Sequence, residues 1–238
     1  MKISSAGLKF FDMESKRITI FAGHYGSGKT NIAVNYALRL REEYEKVSIA
    51  DLDIVNPYFR TKDSEKYLEE KGIRLISSEY ANSNVDVPAL PAEAYSIIDD
   101  LSVRAVIDVG GDDRGALALG RYTPSIIEQN DYEHLLVINK YRPLTPNCAS
   151  TIEVMREIET ACGMKFTGIV NNSNLGDETT AEDVISSIVY AEEISKASSL
   201  PIKMTTVKED LFDTLKDKVV NCTPIKLYVK QSWARATD

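Results

Sequence analysis

The sequence predicts an α/β protein in which a mostly parallel sheet carries helices on both faces, giving three layers. Two observations lead to this prediction. Short apolar runs rich in β-branched residues alternate with longer segments of helical periodicity, and a glycine-rich stretch joins the first apolar run to the first helical segment. The alternation extends from about residue 17 to 206, whereas residues 1–16 and 221–238 fit it poorly. We therefore interpret 1–238 as a single domain with peripheral ends.

The predicted elements follow one another with short connections. Strands are predicted at 17–22, 46–51, 73–76, 104–108, 134–139, 166–171 and 202–206, and helices at 31–44, 64–71, 92–101, 150–162 and 181–198. The strands at 104–108 and 134–139 are almost continuously apolar, which is typical of the centre of a parallel sheet.

Composition narrows the classes of function. A formal net charge of -8 argues against a general nucleic-acid-binding surface. Cys148, Cys162 and Cys222 are far apart, a pattern that favours a reducing compartment without a disulfide framework. Neither a signal peptide nor a membrane span is evident, and the C-terminal pattern is too short for a membrane-binding helix. We expect a cytoplasmic protein that does not attach to membranes.

The glycine-rich stretch, GHYGSGKT, matches the phosphate-binding pattern GxxxxGK[ST] between a predicted strand and a predicted helix. Its residues are Gly23, His24, Tyr25, Gly26, Ser27, Gly28, Lys29 and Thr30. Glycines let successive N–H groups turn toward phosphate oxygens, and the helix N-terminus adds partial positive charge. Lys29 is predicted to bridge the outer phosphates and Thr30 to coordinate Mg²⁺. The sequence therefore predicts a P-loop NTPase fold that binds a nucleotide.

Carboxylates end two of the predicted strands. Asp51 and Asp53 follow the second strand, and Asp108 ends the fourth, directly before a turn that contains Gly111. Because ligands lie at the carboxyl ends of parallel strands, we expect Asp108 to hold Mg²⁺ directly or through water. The Gly111 N–H is predicted to reach the γ-phosphate. Asp51 and Asp53 are further metal-site candidates, the alternative being loop solvation or helix capping.

Three ordered motifs, GHYGSGKT, ADLDIVNPYF and VIDVGG, carry a family resemblance. The sequence resembles the ParA/MinD-like P-loop ATPases, grouped with the CobQ/CobB/MinD/ParA nucleotide-binding domains and the nitrogenase iron protein. The resemblance spans about residues 17–206. It implies that Asp53 orients or activates the attacking water. It also implies that ATP controls a homodimer or the exchange of a protein partner.

The resemblance also bears on the base. It implies that Asn171 or Asn172, after the sixth strand, contacts adenine, although asparagine is also a common turn former. Asn139-Lys140 begins like the guanine-reading motif NKxD, but Arg142 occupies the place of the carboxylate. The sequence therefore favours ATP and ADP over guanine nucleotides.

The phosphate loop departs from the family pattern GKGGxGKT. His24 stands where the family has a second lysine that reaches the partner's nucleotide, and Tyr25 replaces a glycine. An imidazole is not a permanent cation, so we expect slow hydrolysis or an arginine from elsewhere, with Arg60 and Arg114 as candidates. The closely spaced cysteines of cluster-binding members are missing, so no iron–sulfur cluster is expected.

The leading hypothesis is a Mg²⁺-dependent ATPase that switches a surface formed by residues 51–62 and 108–121. One alternative is a small-molecule kinase or ATP-dependent ligase, with an acceptor pocket in loops around 80–91 and 112–122. The other is a nucleotide sensor without turnover.

Overall fold

The computed structural model describes residues 15–52, 62–77, 92–111 and 113–228. Its strands are β1 (Ile18–Ala22), β2 (Val47–Leu52), β3 (Ile73–Ser77), β4 (Arg104–Val109), β5 (Tyr132–Ile138), β6 (Gly168–Asn171), β7 (Ile202–Lys208) and β8 (Cys222–Ile225). They form one sheet in the order β3-β2-β4-β1-β5-β6-β7-β8, with every neighbouring pair parallel. β4 and β5 flank β1 near the middle of the sheet, as their apolar sequences predict.

Helices cover both faces of this sheet. They are α1 (Lys29–Glu43), α2 (Lys62–Glu70), α3 (Ala92–Asp99), α4 (Asp113–Gly120), α5 (Thr123–Gln129), α6 (Cys148–Cys162), α7 (Ala181–Ser186), α8 (Ile188–Ser198) and α9 (Glu209–Leu215). On one face, α1 and α2 bury side chains such as Ile32 and Leu68 against β-strand residues that include Val106. The other face of the sheet is covered by five helices, which pack against the strand side chains that point to that face: α3, α4, α5, α6 and α8. The predicted three-layer α/β fold is confirmed.

The prediction of one continuous helix at 181–198 is wrong. The segment forms two helices, α7 and α8, which meet at Ser187. The Ser187 hydroxyl is fully buried and donates a hydrogen bond to the Val184 carbonyl at 2.7 Å, while it accepts one from Asn171 at 2.9 Å. A serine that bonds to nearby backbone competes with the regular helical pattern.

The segment 112–122, predicted as a loop, instead contains α4, and α5 follows directly. Ala116 and Leu119 of α4 are buried in the core. The sequence of α4, DRGALALG, contains two glycines, which lower intrinsic helix propensity and conceal the pattern. Tertiary burial therefore outweighs propensity in this segment.

The sheet continues beyond the predicted last strand at 202–206, because α9 leads to an eighth strand at the edge. The chain after β8 then crosses α1. Asn35 exchanges hydrogen bonds of 2.8 and 2.9 Å with the backbone of Lys226, and Asn31 accepts one from the Tyr228 N–H at 2.9 Å. None of the helices within the described ranges is long and apolar enough to cross a membrane. Cys148, Cys162 and Cys222 are free thiols.

Candidate functional site

The phosphate loop leaves the carboxyl end of β1, between β4 and β5, and leads directly into α1. Gly28 stands immediately before α1 with a φ of 89°. A Cβ at Gly28 would collide with the side-chain amide of Asn172. The left-handed backbone and the close neighbour both demand glycine at this position.

Lys29 and Thr30 begin α1 and point toward the groups that a phosphate site needs. The Thr30 hydroxyl donates a hydrogen bond to Asp108 Oδ2 at 2.7 Å. Lys29 is 6 % exposed, and its Nζ donates to the His24 carbonyl at 3.1 Å, within the loop itself. The structure thus brings Lys29, Thr30 and Asp108 together at one end of the sheet.

Asp51 lies beside Asp108, because β2 and β4 pair with these two residues in register. Both carboxylates are buried, and both lie on the sheet face that carries α1, since Ile49 and Val106, two residues earlier, belong to that core. Asp53 and Arg60 lie outside the described residues, so their predicted roles stay predictions.

Gly111 places the turn after β4 directly against the phosphate loop. A Cβ at Gly111 would lie 2.5 Å from the Tyr25 nitrogen and 2.6 Å from its Cα. Only glycine permits this approach. The contact links the loop to α4, which begins two residues later.

Asn171 and Asn172 are buried and bonded within the protein. The Asn172 side chain donates to the Ser27 carbonyl at 2.6 Å and accepts from the Thr206 hydroxyl at 2.5 Å. The Asn171 amide donates to Ser187 and accepts from Ser173. Asn172 therefore ties the phosphate loop to β7, and base contact by either asparagine stays a prediction that requires these bonds to be exchanged.

Asn139 is also internal. Its side-chain oxygen accepts hydrogen bonds from the backbone of Tyr141 at 3.0 Å and Asn174 at 3.3 Å, and the residue is fully buried. It joins the loops after β5 and β6. The start of an NKxD-like sequence here thus has a structural role.

Of the arginine candidates, Arg114 is exposed on α4. The structure places a different arginine, Arg142 on the loop after β5, against the phosphate loop. The guanidinium lies over Gly26: a Cβ there would be 3.4 Å from Arg142 Nε and 3.7 Å from Cζ. No local motif marks this contact, because it depends on the adjacency of β1 and β5.

The oxygen donors near Thr30 fit Mg²⁺. This ion prefers hard oxygen ligands and is commonly held by one or two carboxylates together with substrate phosphates and water. The Thr30 hydroxyl, Asp108 and the neighbouring Asp51 provide this donor set. Within the described ranges, no group of three or more His, Cys, Asp or Glu side chains could hold a metal, so phosphate and water oxygens would complete the shell.

The sequence matches no protein-family model and none of the curated proteins with which it was compared. Several solved structures are similar in fold. The cell division protein FtsY from Thermotoga maritima has a TM-score of 0.54 and 20 % identity, covering 85 % of this chain and 65 % of that one. The chloroplast FtsY from Physcomitrella patens has a TM-score of 0.53 and 18 % identity, covering 87 % and 63 %.

A third similar structure is the signal recognition particle 54 kDa protein from Aeropyrum pernix in complex with GDP, with a TM-score of 0.52 and 19 % identity. The match covers 82 % of this chain and 42 % of that protein. This chain thus spans less than two thirds of each of the three proteins. At such identities the likeness is one of architecture, and it shows that the chain has an α/β fold of the P-loop NTPase type.

Proposed function

We propose that this protein is a Mg²⁺-dependent nucleoside triphosphate-binding switch that hydrolyses its nucleotide slowly. The observation that carries the proposal is the hydrogen bond of 2.7 Å between Thr30 and Asp108. It joins the end of a GxxxxGK[ST] loop to a strand-end carboxylate, and this pairing of hydroxyl and carboxylate suits a metal–phosphate site.

Each residue has a distinct task in this proposal. Lys29 exchanges its bond to the His24 carbonyl for the outer phosphates, and the N–H groups at the start of α1 bind phosphate oxygens. Thr30 and Asp108, with Asp51 beside them, would hold Mg²⁺, which neutralises charge on the phosphates. Asp53 would orient or activate the attacking water, as the family resemblance implies.

The switch would pass through Gly111. Because its backbone lies against Tyr25, a phosphate that draws the Gly111 N–H toward it would also displace the start of α4. The surface that responds would comprise residues 51–62 and 108–121. A homodimer or a protein partner controlled by the nucleotide would bind there, as the ParA/MinD-like resemblance implies.

ATP is our first choice of nucleotide, because Arg142 occupies the place of the guanine-reading carboxylate. GDP is the rival, since it is bound in two of the similar structures, the protein from Aeropyrum pernix and an FtsY from Elizabethkingia anophelis. The base therefore has to be measured directly.

Titration calorimetry of ATP, ADP, GTP and GDP with Mg²⁺, combined with phosphate release, tests this function. We expect binding to one purine series, slow release, and loss of binding in Lys29→Ala. Lys196→Ala is a matched control, because Lys196 is exposed on α8. If the wild type binds none of the four nucleotides at millimolar concentration, the proposal is wrong.

Two other outcomes would redirect the function. Tight binding without phosphate release would favour the sensor, and phosphate transfer that depends on an added metabolite would favour a kinase or ligase. The acceptor pocket of that alternative rests on residues 80–91, which lie outside the described ranges, and on 112–122, where α4 replaces the predicted loop.

A further inference from the structure

Arg142 follows β5, and its side chain supplies the three heavy atoms nearest to a Cβ at Gly26. Its Nε, Cδ and Cζ would all lie within 3.7 Å of a Cβ at Gly26. The guanidinium thus covers the middle of the phosphate loop. Arg142 is half-buried.

The backbone around Arg142 is held firmly. Its N–H donates to the Asn139 carbonyl at 3.2 Å, and its carbonyl accepts from Thr145 at 3.1 Å. The Thr145 hydroxyl also donates to the Asn139 carbonyl at 3.0 Å. The side chains of Lys140 and Tyr141 both bond to Ser186, at the end of α7. The Arg142 side chain lies instead at Gly26 of the phosphate loop.

The guanidinium has unused hydrogen-bonding capacity. Its Nε is buried and has no hydrogen-bond partner within the described residues, and none of their carboxylates forms an ion pair with it. Arginine stays charged at any physiological pH, and its fork of N–H donors matches phosphate oxygens. A buried donor without a partner is costly, so a ligand that accepts from it would gain affinity.

We propose that Arg142 contacts the phosphate chain of the bound nucleotide and supplies the permanent positive charge that His24 does not. This inference rests on the proposed nucleotide-binding function. It places the second cation of the site within the same chain, on the loop after β5, so that charge neutralisation does not depend on a lysine from a partner. Packing over Gly26 without phosphate contact is the competing explanation.

Arg142→Gln tests the charge, because glutamine keeps much of the side chain and removes the cation. We expect the affinity for the preferred triphosphate to fall about tenfold or more, with a much smaller loss for the corresponding monophosphate. Arg142→Lys should recover part of the loss. Arg156→Gln is the matched control, because Arg156 is exposed on α6 and should leave both affinities within about twofold of the wild type.

The outcomes separate this inference from the function on which it rests. If the wild type binds no triphosphate, the proposed function fails and this inference with it. If the wild type binds but Arg142→Gln retains its triphosphate affinity and phosphate release, Arg142 only packs on the loop. An equal loss in the Gln and Lys variants, for triphosphate and monophosphate alike, would likewise overturn the charge role. Thermal unfolding of each variant confirms that the fold is intact.

Discussion

Asn172→Ala distinguishes the two roles that this residue could have. The substitution removes the donor to the Ser27 carbonyl and the acceptor for the Thr206 hydroxyl, bonds of 2.6 and 2.5 Å. Ser27 and Thr206 are 1 % and 3 % exposed, so water does not readily replace the lost partner. Because a buried polar group left unpaired costs about 1–3 kcal/mol, we expect the free energy of unfolding to fall by about 2–4 kcal/mol.

Urea unfolding measures this loss, and calorimetry measures its effect on nucleotide binding. If Asn172 supports the loop, the affinities for adenine and guanine nucleotides should fall by the same factor, because both share the phosphate site. Thr206→Val is the matched control. It removes the hydroxyl that bonds to the Asn172 side chain and to the Asn171 carbonyl but spares the contact of Asn172 with Ser27, so it should cost about 1 kcal/mol of stability and leave binding intact.

The reasoning would be refuted by a specific pattern. If Asn172→Ala keeps its stability within about 0.5 kcal/mol of the wild type and changes the ratio of adenine to guanine affinity, Asn172 reads the base. The expectation from the sequence would then hold, and the bond to Ser27 would have no energetic importance.

Two further predictions concern His134 and Gly111. Burial lowers the pKa of the fully buried His134 to about 3 from its ordinary value of 6.5. Below pH 6.5, His134 is therefore protonated in the unfolded chain but stays neutral in the folded protein. The free energy of unfolding should therefore decrease as pH falls from 6.5 toward 3. Between pH 7.5 and pH 5, the wild type should lose about 2 kcal/mol more of it than His134→Leu does, as measured by urea midpoints. Equal losses in the two proteins would contradict this. Gly111→Ala would place a methyl group 2.5 Å from the Tyr25 nitrogen, so we expect nucleotide affinity to fall about tenfold or more. The control Gly163→Ala has nothing within 4 Å of its Cβ; its φ of 67° costs some stability, but affinity should stay unchanged. Unchanged affinity in Gly111→Ala would show that the turn and the loop do not act together.

The sequence by itself predicted the elements whose signals are local. Apolar runs and helical periodicity identify β1 to β7 and α1, because a side chain's burial repeats with the geometry of its own element. The spacing of Gly23, Lys29 and Thr30 predicted a phosphate loop for the same reason, since one turn and one helix start form the whole motif. The local periodicity failed at α4 and at Ser187, where glycines and a buried hydroxyl hide the helical signal.

The tertiary structure alone decided which loops meet. Asn172 contacts Ser27 across 145 positions, and Arg142 reaches Gly26 because β5 lies beside β1 in the sheet. Hydrophobic periodicity tells which face of a strand is buried, but it does not contain the order of the strands. That order assembled the phosphate loop, Asp108, Gly111 and Arg142 at one edge, and no local pattern contains the contact between Arg142 and Gly26.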